Sequence, residues 1–249
     1  MKVIISFLIP FIGTALGAAA VFFMKSTLSL KTEKLLSGVA AGVMCAASVW
    51  SLIIPALETG KNKYHSLFIC VSGFVAGVLL LIITQKIVGS LEKAQNLSKN
   101  FSLIFAVTLH NIPEGLAVGV CFAKFLSERS QASFAAALAL STGIAIQNFP
   151  EGAIISMPLK SEGKSKLHAF IAGALSGIVE PLAALLTLAV TAAVIKQLPF
   201  LLCFAAGAMI FVSVDELIPD SKQKEGTNIG AIGFITGFLL MMALDVAFG

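Results

Sequence analysis

Charge is what this sequence lacks. Of its 249 residues only 12% are Asp, Glu, Lys or Arg, against about 25% in an ordinary soluble domain. That is too little polar surface to solvate a globule of this length. The four cysteines, Cys45, Cys70, Cys121 and Cys203, all lie inside apolar stretches and show no CxxC spacing. Neither a disulfide framework nor a thiolate zinc site is indicated, and the thiols read as small hydrophobes. The formal charge of +4 comes from lysines in the connections, so it calls for no nucleic-acid partner.

What fills the chain instead is apolar. Hydrophobic residues make up 57% and the mean hydropathy is +0.97, which makes the bilayer the natural solvent. In hydrocarbon every backbone polar group has to be paired internally, leaving helices or closed barrels. Runs of about 20 apolar residues select helices over the alternating ten-residue strands of a barrel. The expected fold is an all-α membrane protein, a single transmembrane domain over residues 1–249. Eight segments can be marked, at about 3–24, 34–57, 66–88, 101–124, 132–157, 168–194, 198–219 and 228–248. The first also has the composition of a signal peptide, but the repeat described next needs it as a helix.

Lysine and arginine report orientation. With eight alternating crossings, the side of both termini carries Lys2, Lys61, Lys63, Lys124, Arg129 and Lys196. The other side carries Lys25, Lys31, Lys34, Lys86, Lys93, Lys99, Lys160, Lys164, Lys166, Lys222 and Lys224. The richer side is expected in the cytoplasm, which puts both termini outside the cell (inner) membrane.

Internal repetition is legible in three places. AAGVMCAASVWSLI from Ala40 and AAGAMIFVSVDELI from Ala205 agree at eight of fourteen positions, at a constant offset of 165. Gly73-Phe74-x-x-Gly77-x-Leu79-Leu80 returns as Gly233-Phe234-x-x-Gly237-x-Leu239-Leu240. Phe11-Ile12-x-x-Ala15-Leu16 returns more weakly as Phe170-Ile171-x-x-Ala174-Leu175. Segments one and six are five crossings apart, an odd number, so the two three-helix units are expected to be inverted. Between them lie segments four and five, with HNIPEG at 110–115 and QNFPEG at 147–152. The expected arrangement is 3+2+3, an inverted repeat of the kind transporters build around a midplane site.

His110 and Glu114 are four apart and so share a helix face, as do Gln147 and Glu151, with Asn111 and Asn148 on the flank. Pro113 and Pro150 lack the N–H that would bond the carbonyls of Leu109 and Ile146. A carboxylate at the bilayer centre costs at least ~2.5–3.5 kcal/mol on insertion scales. Glu114, Glu151 and Glu180 all fall mid-segment, with no Lys or Arg at comparable depth. Protons, a metal cation or both must therefore compensate them. One imidazole with carboxylates and amide oxygens is a ligand set suited to Zn, Fe(II), Mn or Cd.

These motifs, on segments four and five of eight, resemble the ZIP (zinc/iron-regulated transporter-like) family, close to its bacterial GufA-like branch. The resemblance implies import of divalent metal, zinc first and iron, manganese or cadmium as alternatives, with the ion as substrate and no organic cofactor. It implies a binuclear site in which His110, Glu114, Gln147 and Glu151 form one position. Asn111, Asn148 and Glu180 complete the other, sharing Glu114 and Glu151. Met44 matches a thioether ligand of the family, although a packing methionine reads equally well, since its repeat mate Met209 has no such role. Asp215 and Glu216 stand where the family often has His-Glu. The loop at about 89–100 has no histidine, so metal sensing there is not expected. A homodimer is allowed by resemblance alone.

Two other functions compete. An intramembrane zinc-dependent hydrolase would also use His and Glu on helices, but HExxH is absent and His110 is the only mid-segment histidine. A carrier of an organic solute would use the carboxylates for proton or sodium coupling. His65 and His168 sit at segment edges and read as interfacial. Asp245 either lines a route through the protein or reaches the interface, and Trp50 and Tyr64 pack or anchor there.

Overall fold

A computed structural model describes residues 2–23, 29–58, 63–95, 99–222 and 228–248. The described residues are helical, without a strand. We label the helical stretches α1 (2–22), α2 (Leu30–Glu58), α3 (Lys63–Gln95), α4 (Lys99–Glu128), α5 (Gln131–Ser161), α6 (Lys166–Ala189), α7 (Leu198–Lys222) and α8 (Ile229–Phe248). Six stretches, α2, α3, α5, α6, α7 and α8, are long and apolar enough to cross a membrane, and Leu8–Phe22 of α1 is a shorter apolar helix. This is a multi-pass membrane protein. Large apolar side chains such as Phe68, Leu186 and Val246 stand exposed on its outer faces, where lipid rather than water meets them.

Most helices run past the apolar stretches that announce them. α3 continues to Gln95 and α5 to Ser161, because a helix keeps its backbone paired beyond the hydrocarbon while a hydropathy reading stops at the first charges. Serine caps set three of the starts. The hydroxyls of Ser29, Ser130 and Ser165 accept the backbone N–H of Thr32, Ser133 and His168 at 3.2, 3.0 and 3.1 Å. Residues 96–98, at the centre of the histidine-free loop, lie outside the described residues.

Three interruptions matter. α6 is two helices, Lys166–Ser176 and Val179–Ala189, with a break at Gly177 and Ile178. α2 and α7 each contain a π-helical turn, at Ser48–Ile53 and Ser213–Leu217. The two turns begin 165 residues apart. In both, the leading serine donates to the carbonyl four residues back: Ser48 to Met44 at 2.7 Å and Ser213 to Met209 at 2.9 Å. Pro113 and Pro150 lie inside α4 and α5 without ending them.

Glycine sets how closely the helices approach. A Cβ on Gly73 or Gly77 of α3 would fall 2.3 or 2.0 Å from the carbonyl oxygens of Phe200 and Phe204 of α7. On Gly233 or Gly237 of α8 it would fall 2.5 or 2.2 Å from those of Leu35 and Val39 of α2. Backbone meets backbone here, as small residues permit in membranes. α2 with α8, and α3 with α7, pack into one block, joined through α2 and α7. α1 with α5, and α4 with α6, form a second block joined through α4 and α5. The blocks meet where α2 and α8 touch α5 and where α7 touches α4. Trp50 packs edge-on against Phe238 at 5.4 Å, and Tyr64 is exposed.

Candidate functional site

The polar motifs of α4 and α5 face inward at the centre of the second block. Asn111, Glu114, Gln147 and Asn148 are fully buried, and His110, Glu151 and Glu180 nearly so. The third carboxylate owes its place to the broken α6. Restarting the helix at Val179 puts Glu180 in its first turn. The interruption leaves the carbonyl of Ser176 available, and Asn111 Nδ2 donates to it at 3.2 Å. Asn111 thereby ties α4 to the break while its Oδ1 stays free of partners. Gly115 lets this happen, since a Cβ there would lie 2.3 Å from the Glu180 carbonyl oxygen.

Around these anchors, the amide of Gln147 donates to Glu114 Oε1 in a short hydrogen bond. Glu151 and Glu180 come close enough to Glu114 for like charges to repel. Asn148 lies beside both Glu114 and Glu180 without closing a hydrogen bond to either. Thr14 of α1 donates to Glu180 Oε1 at 3.2 Å.

The feature that sets this place apart is unmet polar demand. Among the described residues, eight buried side-chain N and O atoms have no hydrogen-bond partner, and seven belong to Asn111, Glu114, Gln147, Asn148, Glu151 and Glu180. Each such atom costs roughly 1–3 kcal/mol, more when charged, so the cluster is a poor structural device, and its unpartnered oxygens are a good set of ligands. No three His, Cys, Asp or Glu side chains among the described residues converge on one point. An ion held here therefore draws on amide oxygens as well. Met44, on α2, is fully buried in an apolar core to which both blocks contribute.

His110 reaches across to α7. Its Nε2 lies 3.1 Å from Glu216 Oε1 on α7, with Glu151 close by. Gln85 of α3 donates through Nε2 to Asp215 Oδ2 at 3.0 Å and to Glu216 Oε1 at 3.1 Å. Gln85, His110 and Glu216 border a cavity of about 180 Å³, lined also by Leu81, Thr84 and Leu109 among others. Beyond the second block, Ser51 donates to Asp245 Oδ1 in a short hydrogen bond between α2 and α8. His65 and His168 are exposed, away from the buried cluster.

Thr14, Gln85 and Ser51 were not singled out by the sequence. Each is an uncharged polar residue of a kind common in apolar helices, and only a partner on another helix distinguishes it.

The family model described as "ZIP Zinc transporter" matches residues 89–245. The chain is 33% identical to zinc transporter ZIP11 of Xenopus tropicalis over 95% of its length and 94% of that protein's. The chain belongs to the ZIP family. Further ZIP relatives include zinc transporter GufA of Myxococcus xanthus, 33% identical over 95% of this chain and 96% of that one. Zinc transporter ZIPB of Bordetella bronchiseptica is 32% identical over 96% and 79%. The ZIP family and these relatives are transporters rather than enzymes, which sets the hydrolase reading aside.

Proposed function

We propose that this chain imports divalent transition-metal ions, zinc foremost, into the cytoplasm, through a midplane site on α4, α5 and α6. The reading is carried by the seven unpartnered buried polar atoms on six neighbouring residues, in a family whose relatives named above are zinc transporters. In this reading Glu114 and Glu151 are shared by two ions. His110 and Gln147 complete one position, Asn111, Asn148 and Glu180 the other, and Met44 supplies a thioether to the first. Neutral amide oxygens beside carboxylates hold a borderline cation without trapping it, as transit requires. Iron, manganese and cadmium are the other candidate substrates, and no organic cofactor is invoked.

Both termini lie outside in this proposal, with eight crossings in a 3+2+3 inverted repeat. Several pairs support the repeat. The two π-turns stand at the offset of the AAG…M…SV…LI match. Gly73 on Phe200 and Gly77 on Phe204 answer to Gly233 on Leu35 and Gly237 on Val39, partner for partner at the same offsets. The Gln85–Glu216 bond answers to Ser51–Asp245. The packing also suggests which parts move. Each block takes helices from both repeats, so alternating access would be one mixed block sliding on the other, not one repeat on its mate. His110 and the small cavity beneath Glu216 and Gln85 would then lead from the site to the cytoplasmic side. A homodimer is compatible with this scheme and is not required by it.

The test is direct. Purified protein in liposomes loaded with a metal-sensitive dye is expected to admit zinc or cadmium down a gradient. Flux no greater than that of empty liposomes, for every divalent ion tried, overturns the proposal. Uptake of an organic solute with no response to divalent ions would establish the competing carrier instead.

A further inference from the structure

One residue outside the motifs is drawn into the buried site from the first helix. A threonine inside a membrane helix ordinarily turns its hydroxyl back to the carbonyl four residues earlier. Thr84, Thr108, Thr142, Thr187 and Thr236 all do so, at 2.8, 2.6, 2.8, 2.8 and 2.8 Å. Thr14 is different. Its hydroxyl stands 3.5 Å from the carbonyl of Pro10 and 3.2 Å from Glu180 Oε1. A hydroxyl has one proton to give, and a carboxylate is a stronger acceptor than a carbonyl whose lone pairs already serve the helix.

The location is enforced by the backbone around it. Thr14 is fully buried at the meeting of α1, α5 and α6. Gly152 packs so closely that a Cβ there would sit 2.0 Å from the Thr14 carbonyl oxygen. Gly177, at the break in α6, packs directly on the Thr14 side chain, where a Cβ would meet Oγ1 at 2.7 Å. Both contacts rely on glycine, one inside the QNFPEG motif and one three residues before Glu180. The hydroxyl therefore has little freedom to leave the carboxylate.

We propose that Thr14 is a positioning residue for the metal site: its hydroxyl holds Glu180 by Oε1 and so leaves Oε2 free to serve the ion. This rests on the proposed function above. Glu180 Oε2 is among the unpartnered buried atoms, as expected of an oxygen kept for a ligand while its twin is tied. Glu180 sits in the first turn after a helix break, where few backbone constraints orient a long side chain. A single hydrogen bond from α1 fixes it. Groups that orient metal ligands typically matter by 10–100-fold in affinity.

The experiment measures zinc binding to the purified full-length protein in detergent, by competition with a fluorescent chelator. Wild type is compared with Thr14→Val, Thr14→Ala and Thr14→Ser, with Glu114→Gln as a control that damages the site itself. Thr14→Val is expected to weaken zinc binding roughly 10-fold or more, while Thr14→Ser, which keeps the donor, stays within about twofold. The KM for uptake should rise in parallel with little change in maximal rate, which loss of packing alone would not produce. If the valine variant does not purify as a single species, the alanine variant is read against the same thresholds. Wild-type affinity in the variants lacking the hydroxyl, or equal loss in Thr14→Ser, overturns the role of Thr14 alone. A wild type that binds no more zinc than Glu114→Gln overturns the site reading with it.

Discussion

Glu114 and Glu151 are the residues on which the site reading depends most. Both are buried, each has an oxygen with no partner, and like charges crowd them. Removing them deletes two unpartnered oxygens, although Gln147 also loses its acceptor, so Glu114→Ala with Glu151→Ala is expected to abolish metal flux in liposomes while the protein still inserts and purifies. Flux at the wild-type rate would show that the ion takes another route. This pair was legible from spacing alone, because i and i+4 share a helix face whatever the helix packs against. Glu180 was legible by its mid-segment position. Thr14 was not, because a hydroxyl among Ala and Gly usually bonds its own helix. Nor was Gln85, whose acceptors Asp215 and Glu216 lie some 130 residues away in sequence.

Elements show a similar division. Helix identity followed from apolar runs, and the serine caps agree with it. The π-turns in α2 and α7 and the break in α6 left no mark on a hydropathy reading, since an extra residue in a turn alters backbone pairing but not composition. Glycine spacing was visible as a repeat, whereas its partners were not. The packing makes a graded prediction. Gly77→Ala and Gly237→Ala each drive a methyl group into a facing carbonyl, at 2.0 and 2.2 Å, and each should destabilise by about 1–3 kcal/mol. Gly89→Ala, inside α3, meets nothing within 4 Å and should stabilise by up to about 1 kcal/mol. Thermal unfolding in detergent, followed by size exclusion, separates the three. Equal melting of all three would mean that the close approach of α3 to α7, and of α8 to α2, is relaxed in the membrane.

At the scale of the whole molecule the sequence bears on orientation through its lysines. With both termini outside, a cysteine replacing Arg129, between α4 and α5, should react with an impermeant maleimide on intact cells. One replacing Lys164, between α5 and α6, should react only after permeabilisation. The opposite pattern would invert the direction of transport proposed here. By itself the sequence determined the solvent, the helical class and the inward-facing motifs, because these depend on composition and on a periodicity every helix shares. The tertiary structure alone decided that α1, α4, α5 and α6 gather around the buried carboxylates. It alone brought His110 to Glu216 and left seven polar atoms of the motifs and Glu180 buried without partners. Those outcomes depend on which helices lie side by side, and in a chain so uniformly apolar that choice is made by backbone contact at small residues.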